Sequence, residues 1–158
     1  MKFKVTSWGN PIHFEAQPIE IERARVAYEL KYLPEEVKND FSEALICYSQ
    51  GCWNAFAAMC RRALQSAAMA LGADGTTKIT RQLDNLREMQ VVSEEEFEQL
   101  KTIMITGHDG AHPHLPNING DRAAVLLELM KDALTQLFVR KAKIEEASKL
   151  RAQATKQK

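Results

Sequence analysis

An alanine-rich segment between Trp53 and Leu71 constrains the fold of this chain more than any other feature of its sequence. Its bulky apolar residues recur at helical spacing, and many of the remaining positions carry alanine. Small residues on several faces let neighbouring helices approach closely, so we expect this segment to be the central helix of an all-α bundle. The apolar stripe consists of Trp53, Phe56, Ala57, Cys60, Leu64, Ala67 and Leu71.

Helix start and stop signals on both sides of this segment predict about five helices in total. Pro34 suits the first position of a helix that Gly51 ends, and Gly72 suits the position just after the second helix. A third helix is predicted after residue 76, ending near Met89. Ser93 with Glu96 three residues later is a capping box that opens a fourth helix. The fifth is a long C-terminal helix that starts near Asn119 or Asp121 and runs past Ala152.

The first residues of the chain follow a different period. Apolar and polar residues alternate over three short runs, and a Gly-Asn-Pro turn signal at residues 9–11 separates the first two runs. This pattern predicts a short β-like N-terminal arm, either a hairpin or an extended segment. We therefore divide the chain into an arm over residues 1–32, a helical bundle over 33–140 and a basic helical tail over 141–158.

Composition and charge exclude several classes of protein. A chain of 158 residues fits one domain, and three cysteines are an odd number that argues against a secreted disulfide scaffold. No apolar run approaches the roughly 20 residues that span a bilayer, so we expect a cytoplasmic protein without membrane contact. The net charge of zero divides into about +5 over residues 139–158 and about −5 over the rest, which argues against a globally basic nucleic-acid binder.

The segment from Gly107 to Asn117 carries most of the residues that could bind a ligand. His108, Asp109, His112 and His114 lie within seven residues, and two glycines and two prolines argue against regular helix throughout the segment. Three imidazoles and a carboxylate suit zinc or iron, but no second cluster completes such a site, so we expect no metal and no cofactor. We instead expect a loop between two helices in which His112 is mostly buried and bonded to protein groups.

Two adjacent arginines interrupt the apolar central helix. Neighbouring residues on a helix point about 100° apart, so at most one of Arg61 and Arg62 faces the core. An arginine on so apolar a helix has to be paired, or has to extend its charged end to water. We expect a structural ion pair, with Glu43 on the preceding helix as a candidate partner; the alternative is a site for an anion or a phosphate.

Taken together, these motifs resemble a bacterial family catalogued as domain of unknown function 4145. The family pattern is a Leu-Pro opening, an aromatic-x-Glu-Ala step, a Gly with an aromatic, an Arg-Arg-Ala-Leu-Glu helix and an Ile-Arg-x-x-Gly-Asn-x-Gly-Ala-His segment. The resemblance covers about residues 33–140. Matching segments here are Leu33-Pro34, Phe41-Ser42-Glu43-Ala44, Gly51-Cys52-Trp53, Arg61-Arg62-Ala63-Leu64-Gln65 and Ile103 to His112.

The resemblance implies a HEPN-like helical fold, because the family is grouped with that superfamily. Catalytic members of the superfamily are metal-independent ribonucleases with an Arg four to six residues before a His. No arginine has that spacing here, and Gln65, Met104 and His108 depart from the family residues Glu, Arg and Asn. The resemblance therefore implies a non-catalytic interaction module of a bacterial or phage protein, linked to restriction, toxin–antitoxin or phage-defence systems.

Two further expectations concern partners. The long C-terminal helix carries apolar residues, including Phe138 and Ile144, beyond the reach of the central helix, so we expect a homodimer in which it contributes. The alternative function is a HEPN-type endoribonuclease with RNA as partner, in which His112 acts with Arg61 or Arg62 at a dimer interface. In either case His108, Asp109 and His114 are the candidate binding residues.

Overall fold

A computed structural model describes residues 26–156, and within this range the chain is helical, with no strand. A short 3₁₀ turn at Leu30–Tyr32 precedes the helices. These are α1 (Glu35–Ser49), α2 (Trp53–Ala70), α3 (Ile79–Glu88), α4 (Glu94–Ala111), α5 (Gly120–Leu134) and α6 (Arg140–Lys156). A π turn over Thr135–Val139 joins α5 to α6 without a break.

The predicted all-α fold with five helices is confirmed. The count is five because α5, the π turn and α6 form one continuous C-terminal helix. It has 37 residues and extends about 55 Å at 1.5 Å per residue, roughly twice the length of α2. The predicted β-like arm lies outside the described residues, except for residues 26–32. The division into arm, bundle and tail stays a prediction.

Helix α2 is the centre of the bundle, as its alanines predicted. It packs against α1, α3, α4 and α5, and its contacts with α1 and α4 are the most extensive in the fold. Seven of its residues are buried, and four of them are alanines, so the neighbouring backbones come close on several sides. These residues are Phe56, Ala57, Cys60, Ala63, Leu64, Ala67 and Ala68.

At four helix ends, local signals act where the sequence predicted them. Gly51 and Gly72 follow α1 and α2 with positive φ angles of 73° and 102°, which glycine adopts without a Cβ clash. The Ser93 hydroxyl accepts from the Glu96 backbone, and the Glu96 carboxylate accepts from the Ser93 backbone, so the capping box is formed. Asn119 caps α5 by accepting from Arg122.

The end of α4 differs from the prediction, because the helix continues through Gly107 and Gly110 to Ala111. Both glycines face α2 at very short range. A Cβ on Gly107 would lie 2.5 Å from the Arg61 Cβ, and one on Gly110 would lie 2.7 Å from the Asn54 carbonyl oxygen. The glycines are therefore a helix-packing feature, and only residues 112–119 form the loop.

The arginine pair on α2 divides between two sides of the helix. Arg62 Nε donates to Asp40 of α1 at 2.8 Å, and the Ser66 hydroxyl donates to the same carboxylate at 2.7 Å. The predicted ion pair is confirmed, but the expected partner was wrong, since Asp40 is buried while Glu43 is exposed. Asp40 lies one turn before Glu43, on the face of α1 that meets α2.

Residues 26–34 connect the beginning of the described chain to the long helix. The Tyr28 hydroxyl lies 3.1 Å from the Thr135 hydroxyl, and Tyr28 packs edge-on against Phe41. The Tyr32 hydroxyl donates to Glu146, and Lys143 pairs with Glu29 at 2.9 Å. One side of α6 is thus held against this segment.

No helix in the described part of the chain is long and apolar enough to cross a membrane.

Candidate functional site

The end of α4 and the middle of α2 bring an arginine and a histidine into direct contact. Arg61 Nη1 lies 2.7 Å from Nδ1 of His108, although 47 residues separate them in sequence. The close packing at Gly107 makes this contact possible, because Gly107 sits directly over Arg61 and His108 follows it. Sequence spacing could not show this pair, since it forms across two helices.

Three imidazole rings form a row that starts at this contact. The ring centroids of His108 and His112 are 4.2 Å apart, and those of His112 and His114 are 5.6 Å apart. All three side chains are exposed. The expectation of a mostly buried His112 was wrong, because α4 ends at Ala111 and His112 is carried past the end of the helix.

The contact with Arg61 fixes the state of His108. A guanidinium only donates, so Nδ1 of His108 accepts and the ring is neutral with its proton on Nε2. Desolvation lowers the pKa of His108 below its ordinary value, and the neighbouring His112 and the Arg61 charge lower it further. The His108 side chain is therefore neutral near pH 7, and Arg61 carries the positive charge of this contact.

Two residues that sequence reasoning missed hold the loop after α4. Asn54 accepts from the Ile118 backbone at 2.9 Å and donates to the Asn117 side chain. Arg122 donates to the Pro116 and Asn117 carbonyl oxygens, both at 3.1 Å. A basic residue in the first turn of α5 opposes the helix dipole, and this local mismatch is the signal that could have identified Arg122.

The predicted site residues fall into two groups. His108, His112, His114 and Arg61 lie together at one corner of the bundle. Asp109 instead faces Arg122, with 2.5 Å between its Oδ2 and the Arg122 Nη2, and its side chain is mostly buried. Arg62 is held by Asp40 on another side of α2. We refer to Arg61, His108, His112 and His114 as the histidine corner.

The chemistry open to the histidine corner follows from its groups. Arg61 supplies a permanent positive charge and His112 supplies an exposed imidazole, which suits contact with an anion or transfer of a proton. Within the described residues, no group of three or more His, Cys, Asp or Glu side chains is arranged to hold a metal ion.

The fold and this corner define a class, namely a small all-helical domain with a polar cluster where its two most closely packed helices meet. The family model described as "Domain of unknown function (DUF4145)" matches residues 42–153, which is most of the chain. The chain belongs to this family. No curated protein and no solved structure matches it significantly.

Proposed function

We propose that this chain is a non-catalytic helical interaction module that assembles as a homodimer through α6. The observation that carries this proposal is the outward face of α6, where Ile144 is 62% exposed and Leu150 is 59% exposed. Both residues lie on a helix that continues past the bundle, so the rest of the described chain does not cover them. A second copy of the chain would remove both from water.

The two sides of α6 support a contact on this face. The side that carries Glu146 already meets Lys31 and Tyr32. Ile144 and Ala147 lie about 160° and about 100° around the helix from Glu146, and Leu150 lies one turn beyond Glu146. Spaced three residues apart, Ile144, Ala147 and Leu150 form an apolar strip that winds partly around the helix. A partner would therefore meet exposed apolar side chains along a helix that residues 29–32 hold in place.

The test of this proposal is the oligomeric state of the full chain in solution. Light scattering at tens of micromolar should give the mass of a dimer, and the double variant Ile144→Lys, Leu150→Lys should give a monomer. The matched control is Ala152→Lys, Gln153→Lys, which adds two charges to exposed positions pointing away from the strip. A monomer mass for the unchanged full chain would refute the proposal.

The alternative is an endoribonuclease that uses the histidine corner. One observation favours it, namely that Arg61 touches His108 beside the exposed His112. This contact supplies an arginine–histidine pair in space where the sequence spacing of the HEPN nucleases is missing. In such an enzyme His112 would transfer the proton and Arg61 would neutralise the scissile phosphate.

Incubation with single-stranded and transfer RNA separates the two proposals. We expect no cleavage above background, because the permanent charge of the corner comes from Arg61 alone. Cleavage that is lost in His112→Ala and retained in Lys101→Ala would establish the nuclease, since Lys101 is an exposed base on α4 outside the corner.

The setting belongs to the same proposal. We place the module in the cytoplasm of a bacterium, or in a phage protein, with a HEPN-like fold. Its proposed link is to restriction, toxin–antitoxin or phage-defence systems. The odd number of cysteines supports the cytoplasm. The family resemblance supports the bacterial or phage origin, the HEPN-like fold and the link to these systems.

A further inference from the structure

A second apolar surface lies along α5, on the side of the bundle that α4 borders. Thr102 and Thr106 of α4 and Val125 and Leu129 of α5 line a shallow groove. Val125 is 62% exposed, the same exposure as Ile144 on α6. A branched apolar side chain this open, within a groove, marks a surface that a partner could cover. We refer to it as the α4–α5 groove.

The α4–α5 groove is acidic at the end that Glu128 and Asp132 border, and Arg122 at its other end is paired with Asp109. Glu128 and Asp132 border the patch that contains Val125 and Leu129. Asp132 accepts from the side chains of Gln99 and Gln136, which are neutral, so no described basic residue neutralises its charge. Glu128 pairs with Lys131, but its own side chain is 73% exposed.

Helix α6 has the complementary character. It carries six Lys or Arg residues against two Glu, which makes it a basic helix with an apolar strip. Arg140 and Arg151 pair with no carboxylate among the described residues, and they flank Ile144 and Ala147 on the same face of the helix. A basic helix with an apolar strip fits an apolar groove with an acidic edge.

Symmetry allows both contacts to form at once. Helices α5 and α6 are two halves of one continuous helix, so the acidic groove and the basic strip lie at opposite ends of the same rod. When two such rods pair antiparallel about a two-fold axis near the π turn, α6 of each copy lies beside α5 of the other. The contact then occurs twice, and each half needs to bury only about 500 Å² for a stable dimer of about 1,000 Å².

We propose that α6 of one copy docks into the α4–α5 groove of a second copy, and that the second copy returns the same contact. This inference rests on the proposed homodimer and names the surface that receives α6. It differs from a pairing of two α6 helices, in which two basic segments would repel each other.

The salt dependence of the dimer tests the charge pairing. Raising the salt concentration from about 0.05 M to about 0.5 M should weaken the dimer, because opposite charges across the interface are screened. Pairing of α6 with α6 would give the opposite result, since salt would screen a repulsion. A dimer that becomes tighter with salt therefore overturns the docking proposal and leaves the dimer itself standing.

Substitutions in the groove test its location. Val125→Lys should raise the dimer dissociation constant at least about tenfold, and Ile46→Lys on α1 should leave it unchanged. Val125 and Ile46 are both exposed apolar residues on helices, so the two variants are matched. If Ile144→Lys, Leu150→Lys breaks the dimer while Val125→Lys does not, the groove is not the docking surface.

Charge reversal provides a test that does not depend on Val125. Glu128→Lys with Asp132→Lys should weaken the dimer, and adding Arg140→Glu with Arg151→Glu in the same chain should restore part of the affinity. Failure to restore it would overturn the proposal. A full chain that is monomeric at every concentration and salt would refute both this inference and the homodimer.

Discussion

At the scale of single residues, Gly107 and Gly110 explain most about this molecule. They sit three residues apart on α4, and each lies against the backbone of α2 at a distance that admits no Cβ. This close approach brings His108 within reach of Arg61. The glycines therefore position the histidine corner, although neither has a side chain that takes part in it.

Gly107→Ala tests this close packing. The added Cβ would meet the Arg61 Cβ at 2.5 Å and the Ala57 carbonyl oxygen at 2.7 Å, and backbone cannot move aside cheaply. We expect the free energy of unfolding to fall by at least about 2 kcal/mol in denaturant titrations. Gly120→Ala is the control, since its Cβ would meet nothing closer than 3.8 Å, and it should change stability by less than about 0.5 kcal/mol. Equal effects of the two substitutions would contradict the packing argument.

The protonation of His108 gives a second prediction at this scale. Its pKa in the folded chain lies below the ordinary value of about 6.5, first through desolvation and then through His112 and Arg61. The unfolded chain then binds the proton more readily, so the contribution of His108 to stability falls as the pH drops below about 6.5 through the folded pKa. NMR titration should show this low pKa, and His112→Gln should raise it. An unchanged pKa in His112→Gln would argue against the coupling of the two rings.

At the scale of elements, local capping residues determine where α4 and α5 begin, while packing against α2 determines how far α4 continues. The capping box at Ser93 and the Asn119 cap are complete within three or four residues, so they form wherever the sequence supplies them. The continuation of α4 through two glycines has no local cause. Close contact with α2 outweighs the helix propensity lost at two glycines, which is about 1 kcal/mol each.

Ser93→Ala measures the strength of one local signal. The substitution removes the acceptor for the Glu96 backbone N–H and should lower the free energy of unfolding by about 1 kcal/mol. Ser148→Ala is the comparison, because Ser148 is an exposed serine inside α6 whose hydroxyl bonds only to the carbonyl of Ile144. A loss at Ser93 no larger than the loss at Ser148 would mean that the cap adds nothing to stability.

At the scale of the whole molecule, the bundle and the second half of the long helix have different roles. Every buried apolar residue of the described chain lies between Leu33 and Val139, so α6 adds none to the core. Its contacts with residues 29–32 are polar: a part-buried hydrogen bond from Tyr32 to Glu146, and two exposed ion pairs, which contribute about 0–1 kcal/mol each. Helix α6 is therefore a projecting element on a bundle that is complete without it.

Truncation after Val139 tests this division. We expect the truncated chain to unfold in one cooperative transition, with a free energy of unfolding lower by no more than about 2 kcal/mol, and to remain a monomer by light scattering. Loss of cooperative unfolding would show that α6 belongs to the core. A truncated chain that still forms a dimer would place the interface on the bundle or on the N-terminal arm, residues 1–32.

The sequence by itself determined the fold class, the central helix, the number of helices and most of their ends. These follow from periodicity, from alanine content and from caps that act within a few residues. Only the tertiary structure decided the Arg61–His108 contact, the clamp by Asn54 and Arg122, and the choice of Asp40 over Glu43. The Arg61–His108, Asn54–Ile118 and Arg62–Asp40 contacts join residues that are distant in sequence, so they depend on how closely two helices pack. Arg122 reaches carbonyl oxygens only five and six positions away, but that contact depends on the path of the loop before α5. The exposure of His112 was decided in the same way, because the packing of Gly107 and Gly110 against α2 extends α4 to the residue before it.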